Sequence, residues 1–363
     1  MATPNPDIAM MEDDSDLRAR KAVRGRGTGE LAKGRFEKQE VAYEQEEERQ
    51  IKTEVFKDSS RSVISYNDSP DIGFSASLNP YRGCEHGCIY CYARPFHEYL
   101  GLSAGLDFET KIFAKMEAPE LLRSELSKKS WAPQTLVVSG VTDCYQPIER
   151  DLQITRRCMQ VLAEFRNPVA IITKNHLVTR DIDVLQELAK YDAAHVTVSI
   201  TTLDREIARN MEPRASTPLL RLKTVEDLAK AGIPVSVNMA PIVPGLTDHE
   251  IPSLLKAAAE AGAHSAHYTM LRLPYGVKDM FQVWLDEKYP NHKNKILNRL
   301  RDIRGGKLYD SKFGKRMQGD GIFADQIEQM FDSARKRYGL TRPFHLSAAH
   351  FVHRTDQLSL FGN

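Results

Sequence analysis

Between about Val63 and Pro274, short aliphatic and β-branched runs alternate with stretches whose apolar positions recur every three or four residues. Leu136-Val137-Val138-Ser139-Gly140-Val141 reads as a buried strand. The helix after it carries Cys158, Val161, Leu162 and Phe165 on one face, spaced i, i+3, i+4, i+7. Val169-Ala170-Ile171-Ile172-Thr173 is the next strand, followed by a helix with Ile182, Leu185, Leu188 and Ala189 inward. Val196 to Ile200 precedes a helix bearing Val225, Leu228 and Ala229 and closed by Gly232. Val235 to Met239 repeats the strand, Ile251, Leu254, Leu255 and Ala258 the helix, and Ala266 to Leu273 ends the series. Phe74 to Leu78 supplies a first strand. Continuously apolar strands separated by amphipathic helices imply a parallel sheet covered by helices. About six units fit, so the expected fold class is α/β, a partial (β/α)6 barrel. Chemistry in such folds gathers in the loops at the C-terminal ends of the strands.

The flanks read differently. Residues 1–62 are polar, with Arg24-Gly25-Arg26-Gly27 and the acidic run Glu44 to Glu48, and bury too little apolar surface to offset the entropy of ordering. They are expected to form a largely disordered arm before a barrel at 63–275. Residues 276–363 make a mainly helical extension, with one Lys/Arg-rich helix from Trp284 to Gly305 and a second from Ala324 to Tyr338. His345, His350 and His353 have no ligand-pair spacing and read as surface or packing residues.

Composition narrows the function classes. Hydrophobic residues at 41% and charged residues at 27% match an ordinary globular protein, and a net charge of +1 provides no global field toward nucleic acid or membrane. No apolar run reaches membrane-spanning length, and Met11-Glu12-Asp13-Asp14 puts charge where a signal peptide needs none. The expected location is therefore cytoplasmic, with the cysteines acting as thiols or ligands.

Three of the five cysteines are crowded into Arg82-Gly83-Cys84-Glu85-His86-Gly87-Cys88-Ile89-Tyr90-Cys91-Tyr92. Three thiolates so close can wrap one metal centre, and soft sulfur selects zinc, copper(I) or iron–sulfur. Closed zinc needs a fourth ligand, for which His86 or His97 is available. A four-iron cluster on three ligands leaves one iron open. This C-x3-C-x2-C run, after the first strand of a six-unit chain, resembles the signature of the radical S-adenosylmethionine (radical SAM) superfamily. The resemblance implies a [4Fe-4S] cluster on Cys84, Cys88 and Cys91 and S-adenosylmethionine as second cofactor. Its sulfonium C–S bond would be cleaved reductively to a 5′-deoxyadenosyl radical, with electrons from a donor such as flavodoxin or ferredoxin.

Further along, Thr142-Asp143, Thr173-Lys174, Ser199 with Thr201, Glu212-Pro213-Arg214 and Ala240-Pro241-Ile242 resemble the spore photoproduct lyase-like, or DNA repair photolyase-like, branch of that superfamily. The resemblance implies that Tyr90, Thr142, Asp143, Lys174 and Ser199 line the cofactor site. Lys174 is a cation suited to the cofactor's carboxylate, and the hydroxyls and Asp143 suit its ammonium or ribose. The lyases carry a hydrogen-donating cysteine just before the Thr-Asp pair, where this chain has Gly140. Cys144, just after the pair, is the candidate to replace it, and the competing reading is a small packing residue.

Gln357-Leu358-Ser359-Leu360-Phe361 resembles the pentapeptide by which bacterial repair proteins dock on the sliding clamp, with a glutamine for hydrogen bonds and apolar side chains for adjacent pockets. An apolar tail folded back on its own domain is the other reading. These features converge on an enzyme acting on a DNA lesion. A radical SAM enzyme modifying RNA, protein or a small molecule is the first alternative, and a non-catalytic zinc-stabilised nucleic-acid-binding module is the second.

Overall fold

The computed structural model describes residues 23, 25–29, 35–36 and 51–354. Its ten strands are β1 (Glu54–Lys57), β2 (Ile64–Tyr66), β3 (Ala76–Leu78), β4 (Tyr81–Arg82), β5 (Lys111–Ala114), β6 (Leu136–Val138), β7 (Val169–Thr173), β8 (Ala194–Ser199), β9 (Val235–Ile242) and β10 (Ser265–Met270). Seven of them form one sheet in the order β10-β9-β8-β7-β6-β3-β2. The six from β3 to β10 run parallel in chain order, and β2 closes the β3 edge antiparallel. β10 and β3 stay at opposite sides of the sheet, which is therefore the open, partial barrel that the sequence implied.

Register explains why this sheet holds. Leu78, Val138, Ile171, Val196 and Val235 lie abreast on successive strands, and each is buried. Each such side chain contributes about 1.5–3 kcal/mol on leaving water. Outside the strands, the helix Ile154–Phe165 buries Cys158, Val161, Leu162 and Phe165, the face read from its periodicity. Helices Ile182–Ala189, Pro218–Lys230 and Ile251–Glu260 follow β7, β8 and β9 as expected. Gly232 and Gly262, with φ of 76° and 97°, turn the chain after two of them.

Three features differ from the sequence reading. The arm expected to be disordered contains β1, whose four exposed residues pair in parallel with β5 in a small sheet, β1-β5-β4. Backbone pairing to an existing edge needs no apolar side chains, so composition did not reveal it. In the same arm Arg26 is buried, donating to the carbonyls of Glu109 at 2.7 Å and Ile51 at 2.8 Å. The basic helix expected from Trp284 to Gly305 is two helices, Val277–Lys288 and Pro290–Asp302. Tyr289, which precedes a proline, takes φ −139° and ψ 52°, outside the helical region that the proline ring disfavours. The last helix, Ile322–Arg337, lies within two residues of its expected bounds.

Candidate functional site

The cysteine loop follows β3 and β4 directly, at the C-terminal edge of the parallel sheet. Two residues in it take left-handed backbone: Gly83 at φ 79° and Gly87 at φ 67°. A Cβ on Gly87 would lie 2.6 Å from a Glu109 carboxylate oxygen, so only glycine fits that close approach. Buried Arg94 clamps the loop from below, donating to the Cys88 carbonyl at 2.9 Å, the Gly105 carbonyl at 2.9 Å and Glu109 at 2.5 Å. On the other flank, Gln146 accepts from the Glu85 N–H at 2.9 Å and donates to the Gly83 carbonyl at 3.2 Å. The loop is thus fixed by groups that leave its three thiols uncommitted; all three are free cysteines. Burial pushes each of these thiols above its ordinary pKa.

At the end of β6, Asp143 serves as a joint. Its oxygens accept from Thr173 Oγ1 at 2.8 Å, the Lys174 N–H at 2.7 Å and the Tyr145 N–H at 2.9 Å, and one lies 3.4 Å from His86 Nδ1. Burial opposes its ionisation, but the His86 ring and the N–H donors outweigh that and hold the carboxyl below its usual range. Thr142 donates to the Tyr81 carbonyl at 2.9 Å, so its hydroxyl is also engaged within the protein. Lys174 is different. It ends β7 with its ammonium 6.0 Å from the centre of the Tyr90 ring, and it forms no ion pair among the described residues.

Tyr90, between Cys88 and Cys91, donates to Glu212, and Thr201 donates to the same carboxylate oxygen at 2.7 Å. Arg221 pairs with Glu212 and reaches the carbonyls of Ser199 at 3.0 Å and Ser216 at 2.7 Å. This buried network ties the cysteine loop to the end of β8. Burial alone would raise the Glu212 carboxyl, but the Arg221 and Lys174 charges win and hold it down to about 2.

The donor set discriminates between the metal alternatives. His86 commits both ring nitrogens, one facing Asp143 and the other 3.1 Å from the Asn175 amide. His97 packs edge-on against Phe108 and Phe113. Among the described residues no three His, Cys, Asp or Glu side chains converge as on a single ion, so the three thiols do not form a ready-made single-zinc site. Three uncommitted thiols on one short loop suit a larger cluster that keeps one metal open.

Comparison with known proteins agrees. An uncharacterized protein of Mycobacterium tuberculosis is 34% identical over 234 residues, 64% of this chain and 68% of that protein. The family model described as the Radical SAM superfamily matches residues 78–258, which include the whole cysteine loop and the strands through β9. This chain belongs to the radical SAM superfamily.

Radical SAM enzymes use a [4Fe-4S] cluster and S-adenosylmethionine. Among other relatives, an uncharacterized protein of Methanocaldococcus jannaschii is 25% identical over 248 residues, 68% of this chain and 88% of that protein. A protein of Pseudomonas phage M6 named a radical SAM Nalpha-GlyT isomerase is 26% identical over 186 residues, 50% of this chain and 36% of its own. A spore photoproduct lyase solved in complex with dinucleoside spore photoproduct shares the fold, with TM-score 0.56 and 14% identity over 78% of this chain and 79% of that one.

Against this radical SAM frame, the other sequence-derived residues fall as follows. Ser199 is buried at the end of β8, its carbonyl held by Arg221. Cys144 is fully buried within the main apolar core, and its N–H donates to Ser139 Oγ at 2.6 Å. Desolvation pushes its thiol pKa well up. Gly140 lies where a Cβ would sit 3.1 Å from Ser77 Cβ, so a cysteine there would need Ser77 to give by a few tenths of an ångström. His350 packs against Tyr191 and His353 against Phe351, the packing roles expected of them. Gln357 to Phe361 lie outside the described residues. Sequence reasoning gave no role to Arg94, Glu109, Arg221 or Gln146, because single charged or amide residues carry no spacing signal. Glu212 came only through its motif.

Proposed function

We propose that Cys84, Cys88 and Cys91 hold the [4Fe-4S] cluster and that the enzyme acts on a lesion or modified base in DNA. The observation that carries this reading is the position of the three free thiols, on a rigidly braced loop at the C-terminal edge of the sheet beside Lys174, which has no ion pair among the described residues. When bound, the cluster supplies the electron that cleaves S-adenosylmethionine and generates a carbon radical. Lys174 offers its ammonium to the cofactor's carboxylate as a charge-assisted hydrogen bond. Asp143 ties the loop after β6 to the end of β7 and Thr142 ties it to β4 through their own hydrogen bonds, and Tyr90 holds the cysteine loop against β8 through Glu212. Burial of the loop excludes water from the reacting centre.

DNA as substrate is supported by the shared fold with a lyase solved in complex with dinucleoside spore photoproduct. The Gly140 position argues for a hydrogen-transfer route other than that of a cysteine before the Thr-Asp pair. A cytoplasmic location is supported by five free cysteines and by the lack of any helix, among the described residues, long and apolar enough to cross a membrane. Clamp docking through Gln357-Leu358-Ser359-Leu360-Phe361 and an electron donor such as flavodoxin or ferredoxin complete the proposal.

The test uses anaerobically reconstituted, dithionite-reduced protein with S-adenosylmethionine, with and without ultraviolet-irradiated DNA, and Cys88→Ala as control. The expected result is 5′-deoxyadenosine from the wild type alone and loss of a defined photoproduct by mass spectrometry. A loaded, reducible cluster that yields no 5′-deoxyadenosine under either condition refutes the proposal. Turnover without change in the DNA moves the substrate to RNA, protein or a small molecule.

A further inference from the structure

Two arginines outside the site just described are placed in a way that their immediate surroundings do not explain. Arg304, only 3% exposed, donates to the Lys315 carbonyl at 2.7 Å and to the Leu271 carbonyl at 2.9 Å, and its Nε has no partner. Arg272, next to Leu271 and just beyond the end of β10, donates to Met317 Sδ at 3.0 Å, and its buried Nε is likewise unpartnered. Neither guanidinium forms a salt bridge among the described residues. Burial first, and then the charge of Arg272, lower the Arg304 pKa to about 10, so the two cations lie close enough to repel. The charge of Asp310 offsets this only in part, and neighbouring desolvated cations that form no salt bridge are costly unless an anion joins them.

Aromatic faces flank this pair. Arg272 sits 5.1 Å over the ring of Tyr92, which is 42% exposed, follows Cys91 directly and donates to the Gly140 carbonyl at 2.8 Å. Three residues past Arg272, Tyr275 is 58% exposed and carries Arg35 at 4.0 Å over its ring. Arg35, which is paired with Glu98, also lies 5.5 Å from the ring of the exposed Tyr99, so the phosphate-facing cation of this surface is Arg272. Exposed aromatic rings interleaved with arginines, running from the end of β10 toward the cysteine loop, match the chemistry that binds a nucleic-acid strand: bases on the rings, phosphates on the guanidiniums.

We infer that Arg272 holds a backbone phosphate, with buried Arg304 behind it adding positive charge and Tyr92 and Tyr275 stacking the adjoining bases, of a single DNA strand crossing the β10 side of the barrel mouth. This rests on the DNA reading above and assigns its contact surface. The test measures fluorescence anisotropy of a labelled single-stranded oligodeoxynucleotide against full-length reconstituted protein across a salt series. Iron and sulfide content checks the fold of Arg272→Gln and Tyr275→Asn; asparagine tolerates the left-handed backbone of Tyr275, φ 50°. Arg272→Gln is expected to weaken binding about tenfold and to reduce the salt slope by about one. Tyr275→Asn is expected to weaken it about fivefold with the slope unchanged. If the wild type binds and both variants match it, this site is wrong while the DNA reading stands. If the wild type itself does not bind the strand, both fall. Should Arg272→Gln fail to hold iron, the exposed Tyr275 variant still decides.

Discussion

Replacing Glu212 with alanine is the sharpest probe of how the cysteine loop is held. In the wild type this buried carboxylate faces Arg221 and accepts from Tyr90 and Thr201. Removing it leaves the Arg221 charge buried. Loss of one partner from such a pair costs about 3–5 kcal/mol. Arg221 keeps its bonds to the Ser199 and Ser216 carbonyls, which argues for the lower end, and Thr201 retains the Ala240 carbonyl at 3.1 Å. Tyr90 keeps only a 3.4 Å contact with Thr201, worth little at that length. The net expectation is a loss of about 3 kcal/mol. With a urea m-value of about 3 kcal/mol per molar, the unfolding midpoint falls by about 1 M. Circular dichroism and tryptophan fluorescence should give coincident transitions, which licenses a single free energy. The double variant Glu212→Ala with Arg221→Met removes both charges and should recover at least half of the loss. Because Tyr90 lies between two of the proposed cluster ligands, the single variant should also retain less iron after reconstitution. A single variant within about 0.2 M of wild type, or a double variant destabilised by more than the single, would refute the reasoning.

Lys174→Gln should raise the KM for S-adenosylmethionine about tenfold with only a small fall in urea midpoint, because among the described residues the ammonium forms no ion pair and acts on Glu212 only at longer range; an unchanged KM removes Lys174 from the cofactor site. Gly27→Ala should expose the cysteine loop: a Cβ there would lie 1.7 Å from the Gly87 carbonyl oxygen, so the Arg26–Gly27 segment cannot seat, and bleaching of the cluster in air should accelerate severalfold. Stability should fall as pH drops from 6.5 toward 4, because burial first, then the neighbouring His267 and His264, depress His195 to about 4. The unfolded chain therefore takes up the proton that the folded one refuses, a difference of up to about 2 kcal/mol at pH 5. His195→Phe, which preserves the stacking on Phe344, should flatten that slope in urea midpoints measured across this range.

The sequence by itself determined the repeating β/α core and the cysteine loop. Val138, Ile171, Val196 and Val235 announce buried strands because burial on both faces demands continuous apolar runs, and the helix face at Cys158, Val161, Leu162 and Phe165 announces itself by period. Cys84, Cys88 and Cys91 were legible because one cofactor must be wrapped by residues close in the chain. Tertiary structure alone decided what surrounds them. Arg94 reaches the Cys88 carbonyl and Glu109, Arg26 and Gly27 come back from the arm onto the same loop, and Glu212 with Arg221 joins it to β8. It also decided that Asp143 is a joint between strand ends, that Cys144 lies in the core, and that Arg272 and Arg304 come together with no salt bridge to either among the described residues. Periodicity encodes only which side of an element is apolar. A buried charge pair between distant segments depends on where the folded backbone carries both ends, and neither residue type nor local spacing records that.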